Sequence, residues 1–348
     1  MNLALSGRYW ALCFIVAVVG LATLEVAFRS DVIWRLPLGV TMTAANDINS
    51  KGVWQSFQPP SKADRRVLLV GASTALASMQ LPNDGTSRLI SERAASPIEF
   101  RILCSGGATF AEYLAFVENA LAHDYKPDLV VAYAAPSMLT QQAADKAKQE
   151  ARFVPLISEA WLDAREQRER SDWSERAYYW ALRHSTVVRH RYYINNWIRR
   201  RFSRVLRRDF RWAMPVNETR YRNAFDGALE EDTDRIADVK SIPTRFQPEL
   251  RVDTGLTTLL DFLQRKHIPV LILEAPRSPV VRSTFASIKD AHATMMKQSA
   301  REYGATYFDP NEDVSLAATD FADLYHMSWP GRDRWLDIVL PTIIKMIS

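Results

Sequence analysis

Five short strand-like runs, separated by stretches of helical character, limit the folds open to this chain more than any other feature. They fall at 67–70 (Val-Leu-Leu-Val), 99–103, 128–133, 269–274 and 306–308. The first is continuously apolar, as a strand covered on both faces requires. Helical patterns occupy 111–122, 257–266, 288–303 and the stretch from about 332 to the end. Strands that alternate with helices build a parallel sheet with a helical layer on each side. The expected fold is therefore α/β, a three-layer α/β/α sandwich on a five-stranded parallel sheet. In such sheets functional residues gather at the carboxyl ends of the strands. Ser73, Gly107, Ser137 and Pro276 all fall there.

A chain of 348 residues, 47% hydrophobic, can hold one large α/β domain with an insertion, or two domains. The alternation breaks between the third and fourth strands, over 141–248, which is too long for a structureless loop. We read this span as a helical insertion between two halves of the sandwich, 65–140 and 249–348. Residues 30–64, with Pro37, Pro59 and Pro60, form a connector that follows an N-terminal membrane anchor at 1–29.

The anchor rests on residues 9–28, which carry a single charge, Glu25, and are apolar on every side. About 20 such residues at 1.5 Å each span a bilayer core. Arg8 precedes the stretch, and Arg29 and Arg35 follow it, so the positive-inside signal is weak. The expected arrangement is an uncleaved signal anchor with its N-terminus in the cytoplasm and the remaining domain outside it. A cleaved signal peptide is the rival, with Gly20-Leu-Ala22 as its small-x-small site. The apolar run is, however, longer than the ~7–15 residues of a signal h-region. A buried helix of a soluble protein is the third alternative.

The two cysteines are Cys13 in the apolar segment and Cys104 at the end of a core strand, so no disulfide between them is expected. Without histidines at suitable spacing they do not make a usual structural zinc site. The net charge of +4 is too small to argue for nucleic acid. One segment is strongly basic: ten arginines, no lysine and one acid, Asp209, lie from Arg183 to Arg211. Ile194, Trp197, Ile198, Phe202, Val205, Leu206 and Phe210 make an apolar stripe at helical spacing within it. Three uses fit. The helix packs on the domain with a solvated basic face, rests on anionic lipid, or offers a surface to an acidic glycan or membrane partner. Nucleic acid is not expected as a partner, because no reader motif is visible.

Two segments carry candidate chemistry. Ser73 follows Gly71-Ala72 at the end of the first strand, and 74–79 can begin a helix. A serine at such a turn presents its hydroxyl at the sheet edge, beside backbone N–H groups able to stabilise an oxyanion. The position also suits a serine that only caps the helix. Far downstream lies Asp323-Leu-Tyr-His326-Met-Ser-Trp-Pro. A general base needs a neutral imidazole near the serine and a carboxylate that fixes its tautomer. Asp323 can reach the second ring nitrogen of His326 from a turn. Otherwise the two are an ordinary loop histidine and a turn residue. Arg277, after the fourth strand, either faces the site to bind a substrate carboxylate or hydroxyl or is a solvated loop charge.

In order and spacing these blocks resemble the SGNH (GDSL-like) hydrolase superfamily, in which a serine follows the first strand and Asp-x-x-His lies near the end. The resemblance covers about 66–140 and 249–348 and leaves the insertion outside. Gly-Ala-Ser73-Thr and Asp323-x-x-His326-x-Ser-Trp-Pro-Gly331 are most similar to its membrane-anchored branch, that of teichoic-acid D-alanyl transfer and exopolysaccharide O-acetylation proteins. It implies Ser73 as nucleophile, His326 as base, Asp323 as orienting carboxylate, and an oxyanion site from the Ser73 and Gly107 amides with Ser137. Gly107, in Cys104-Ser-Gly-Gly107-Ala-Thr109, matches the family's glycine after the second strand, although a helix-entry turn also favours glycine. The usual Gly-x-Asn of the third block is Ala135-Pro-Ser137 here, so the asparagine amide is missing. Losing one such donor costs about 10²–10³ in rate. Ala72 stands where the family usually has Asp before the nucleophile.

The implied activity is serine-dependent transfer of a small acyl group, such as acetyl, to a cell-envelope or secreted polysaccharide. The implied partners are an acyl donor, the polysaccharide acceptor, the bilayer, and a multi-pass membrane acyltransferase that supplies the acyl group. The implied location is the cell inner membrane, single-pass, with the domain in the periplasm. Two alternatives stay open: an esterase that deacylates the same polymers with the same triad, and an inactive scaffold or glycan-binding subunit. This chemistry requires no metal and no organic cofactor.

Overall fold

The computed structural model describes residues 7–29, 60–80, 85–104, 107–149, 173–188 and 233–348. Among these residues helix α1 is Gly7–Arg29. Strand β1 (Arg65–Gly71) leads through α2 (Ser73–Met79) and α3 (Gly85–Ala94) to β2 (Ile98–Cys104). Helix α4 (Phe110–Ala122) precedes β3 (Leu129–Ala134), which runs into a 3-10 turn at Pro136–Leu139. Then come α5 (Gln141–Gln149), α6 (Trp173–His184), α7 (Thr233–Arg245) and α8 (Leu256–Arg265). The chain closes with β4 (Val270–Glu274), α9 (Pro279–Phe285), α10 (Lys289–Glu302), β5 (Thr306–Phe308) and α11 (Trp329–Ile347).

All pairings in the five-stranded sheet are parallel, in the order β2-β1-β3-β4-β5. The fold is thus the expected α/β sandwich. Leu68, Val70, Val130, Ala132 and Ile272 face one core, which Phe116, Leu259 and Met296 of α4, α8 and α10 cover. Val67, Leu69, Val131 and Leu271 face the other, under Met79, Ile90, Trp335 and Leu336 of α2, α3 and α11. With both faces dry there is no polar position to alternate, and the central strands read as continuous apolar runs.

The order of strands decides where a site can lie. From β1 the chain moves outward to β2, then crosses back over β1 to reach β3. Connections at the carboxyl ends of β1 and β3 therefore leave in opposite directions, and a crevice opens between them, the usual ligand position in open α/β sheets. Gly71 closes β1 at this edge. A Cβ built on it would lie 2.2 Å from Ala75 Cβ and 3.2 Å from Cys104 Sγ. Only glycine lets α2 start so tightly against the strand end.

Helices α5, α6 and α7 fall within 141–248, the span read from sequence as an insertion, and pack onto the sandwich. Tyr179 and Leu182 of α6 enter the first core. Val239 and Ile242 of α7 build a smaller apolar cluster with Val281, Phe285, Ile288 and Leu324, against which Tyr325 packs. Of the arginine-rich segment, residues 189–211 lie outside the described residues, as does 30–59 of the connector. Helix α1 is long and apolar enough to cross a membrane: Tyr9–Val26 has a mean hydropathy of 2.0. Its described side chains are exposed except Glu25, so it is not packed into the core. Both cysteines are free, Cys13 exposed and Cys104 buried.

Candidate active site

The turn after β1 is short. Ala72 is the N-cap of α2, in extended conformation and without a side-chain capping bond, and Ser73 is the first helical residue. The Ser73 hydroxyl is not spent on capping. Its Oγ lies 2.9 Å from Nε2 of His326. On the other side of the ring, Nδ1 lies 2.7 Å from Asp323 Oδ2 and 2.9 Å from Oδ1. Asp323 Oδ1 also accepts the backbone N–H groups of Tyr325 and His326, both at 2.8 Å.

Charge and tautomer follow from this geometry. Burial alone would raise the Asp323 carboxyl, but the His326 hydrogen bond and charge and the two backbone N–H groups bring it down to about 2. An ionised carboxylate only accepts, so Nδ1 of His326 carries the ring proton. In the neutral ring Nε2 is then an acceptor, and the Ser73 hydroxyl donates to it. An arrangement of this kind can move a proton off the serine as the oxygen attacks an electrophile.

The loop that carries His326 is braced at both ends. The Ala322 N–H donates to the His326 carbonyl at 2.8 Å, and Phe321 pairs with Met327 in an antiparallel bridge. Ser328 caps α11 by accepting the Gly331 N–H, and its own hydroxyl donates to Thr319 O at 2.9 Å. Asp320, 2% exposed, accepts from the Ala317 N–H and from Arg334.

Ser73 and His326 open into a cavity of about 330 Å³. Its walls include Tyr133, Met138, Ile242, Val281, Phe285 and Tyr325, so most of its lining is apolar. Gly107 and Ser137 also line it. Gly107 has φ 65°, the left-handed region that favours glycine. Ser137 sits in the 3-10 turn after β3, and its carbonyl accepts from Thr140 Oγ1. The structure therefore brings Ser73, His326, Asp323, Gly107 and Ser137 to one place.

Arg277 departs from the expectation. It borders the cavity, but its Nη2 donates to Glu274 at 2.8 Å and to Asp309 at 2.9 Å, and its side chain is 7% exposed. Burial would lower its pKa, but the two carboxylates hold the guanidinium fully charged. Arg277 is the counter-ion of a buried acid pair, not a free cation or a solvated loop charge. The pair needs one: Glu274 is fully buried, with Oε1 2.6 Å from His292 Nε2, and an unpartnered carboxylate there would be expensive.

Sequence reasoning missed two features. The first is a buried relay under α2. Trp335 Nε1 donates to the Tyr133 hydroxyl at 2.8 Å, and Tyr133 and Ser78 hydroxyls lie 2.7 Å apart. This joins the helix after the His326 loop to the helix that begins at Ser73, through β3. Only the concentration of aromatic residues with polar tips hints at it in sequence. The second is that the insertion forms part of the cavity wall, through Gln142, Asp238, Ile242 and Arg245. Among the described residues no group of three or more His, Cys, Asp or Glu side chains is placed to hold a metal ion.

No protein-family model matches the chain, and no curated protein matches it. Among solved structures it is similar to the crystal structure of a protein from Bacteroides fragilis provisionally assigned as an acylhydrolase. The identity is 11% and the TM-score 0.42, over 88% of this chain and 98% of that one.

Proposed function

We propose that this protein is a membrane-anchored serine acyltransferase that works outside the cytoplasm, O-acylating a cell-envelope or secreted polysaccharide. One observation carries the reading: the Asp323–His326–Ser73 chain, with links of 2.7 and 2.9 Å, faces an apolar-walled cavity at the edge between β1 and β3. Ser73 Oγ attacks the carbonyl carbon of an acyl donor while His326 Nε2 takes the hydroxyl proton. Negative charge that develops on the carbonyl oxygen is met by the backbone N–H groups of Ser73 and Gly107, with the Ser137 hydroxyl in place of the absent asparagine. The donor's leaving group departs with the proton from His326, and an acyl-serine remains. A sugar hydroxyl then attacks that ester and gives its proton to His326; the bond from the acyl carbon to Ser73 Oγ breaks, His326 returns the proton to that oxygen, and the acylated sugar leaves. Asp323 holds the ring in the required tautomer throughout.

The polysaccharide acceptor, the small acyl group and the multi-pass partner rest on the family resemblance, and the inner-membrane, periplasmic placement on that resemblance and α1. Water and a sugar hydroxyl are both oxygen nucleophiles, so the same residues serve a deacylase. Acyl release measured with and without polysaccharide separates the two. The loss of the Gly-x-Asn block favours a third reading, an inactive scaffold. The decisive test is covalent labelling of the full chain in detergent with a fluorophosphonate, followed by intact mass. We expect one adduct on the wild type and none on Ser73→Ala or His326→Ala. A folded wild type that takes no adduct overturns the enzyme reading.

A further inference from the structure

Helix α6 has two unlike faces. Tyr179 and Leu182 are buried in the first core. On the opposite side Trp173, Ala177, Trp180 and His184 recur at i, i+4, i+7 and i+11 and so form one stripe. Trp173 is 75% exposed and Trp180 61%, and the His184 ring stacks on Trp180 with centroids 4.6 Å apart. Arg176, also exposed, lies next to the stripe. Indole rings combine an apolar body with an N–H donor and concentrate where a membrane meets water.

Helix α1 indicates what lies against this face. Glu25 is the only charge in its apolar stretch and stands at the C-terminal end of it. Its carboxylate accepts from Ser185 Oγ at 2.5 Å, from the Thr186 N–H at 2.7 Å and from the Val187 N–H at 3.2 Å. It thereby caps the turn that immediately follows α6. An acid near a bilayer survives there by finding such donors, and these fix the end of α6 at the depth where α1 leaves the membrane. The polar layer on each side of a bilayer is roughly 5–7 Å thick. Trp173 lies about 18 Å from Ser185 along the helix axis, so the whole stripe reaches that layer with α6 lying along the membrane surface.

We propose that the Trp173–Ala177–Trp180–His184 stripe of α6 rests in the lipid headgroup layer beside the exit of α1. This rests on reading α1 as a membrane span. The contact gives the domain a second foothold and sets which way it faces. Because α6 packs on the sandwich through Tyr179 and Leu182, the orientation it fixes extends to the cavity.

The test uses the full chain in liposomes of phosphatidylcholine, either plain or brominated on the upper acyl chain. Trp173→Phe/Trp180→Phe is compared with the wild type by tryptophan emission. The emission difference between the two proteins belongs to this pair. We expect bromination to remove most of it. A difference that is the same in both lipids overturns the proposal and leaves the stripe to water or to a protein partner. An alkaline carbonate wash distinguishes failure of the premise: a chain that washes off does not span the bilayer through α1, and the proposal falls with that reading.

Discussion

Replacing Gly71 with alanine should separate Ser73 from His326, the proposed nucleophile and base. The added Cβ would meet Ala75 Cβ at 2.2 Å, whereas carbon atoms settle at about 3.5–4.0 Å. Cys104 Sγ at 3.2 Å and Tyr133 Cβ at 3.4 Å close the sideways routes. Helix α2 must therefore retreat by about 1.3–1.8 Å, taking Ser73 with it. The 2.9 Å link to His326 does not survive a stretch of that size. A misplacement of about 1 Å costs roughly 10² in rate, and overpacking costs about 1–3 kcal/mol in stability. The assay is the rate of fluorophosphonate labelling of the full chain, run beside a urea titration. Gly71→Ala should label about 100-fold more slowly or worse, with a lowered urea midpoint. Gly20→Ala is the control, since a Cβ there meets nothing within 4 Å. Labelling of Gly71→Ala at the wild-type rate would refute the reasoning, because α2 would then not be held where the contact requires.

Asp323→Asn should slow labelling by about 10⁴-fold, since the ring loses the partner that selects its tautomer. The Asp323 carboxyl titrates near 2 in the fold against an ordinary 3.8, so its stabilisation is complete above about pH 4 and lost as pH falls toward 2. That is worth roughly 2 kcal/mol, and urea midpoints across this acid range should show the loss in the wild type and not in Asp323→Asn. Tyr133→Phe leaves the buried Trp335 N–H without its acceptor and should lower stability by about 1–3 kcal/mol in the same titration. Arg277→Met removes the guanidinium that Glu274 and Asp309 share, leaving Glu274 only His292, and should cost about 3–5 kcal/mol. A weakened KM with unchanged stability in Arg277→Met would instead restore its expected substrate-binding role.

The sandwich was largely legible because its signals are local. Each of the five strands lies within two residues of the position expected from its apolar run. The short helices α3 and α9 were not, because Gly85–Ala94 and Pro279–Phe285 are too brief to show a clear period. The Ser73 and Asp323-x-x-His326 blocks could be found in sequence, but neither predicted a distance. Whether Ser73 merely caps α2 depends on where a loop far downstream comes to lie, and only the folded chain answers that. Arg277 illustrates the opposite difficulty. Asp309 stands well beyond it in sequence, and without that carboxylate and the burial of Glu274 an arginine after a strand resembles any exposed loop cation. The insertion's share in the cavity wall was invisible for a related reason: Ile242 and Arg245 reach it through packing of α7 on α9, which no local pattern encodes.

The bond between Ser73 and His326 spans 253 positions of chain. A ribosome adding about 5–20 residues per second needs roughly 13–50 s to travel from one to the other. For all that time the nascent polypeptide carries Ser73 without His326, and for most of it a half-sheet still without β4. On the proposed mechanism, reactivity therefore cannot precede synthesis of the loop that carries His326. A product truncated before that loop should take no fluorophosphonate, whatever else of it has folded.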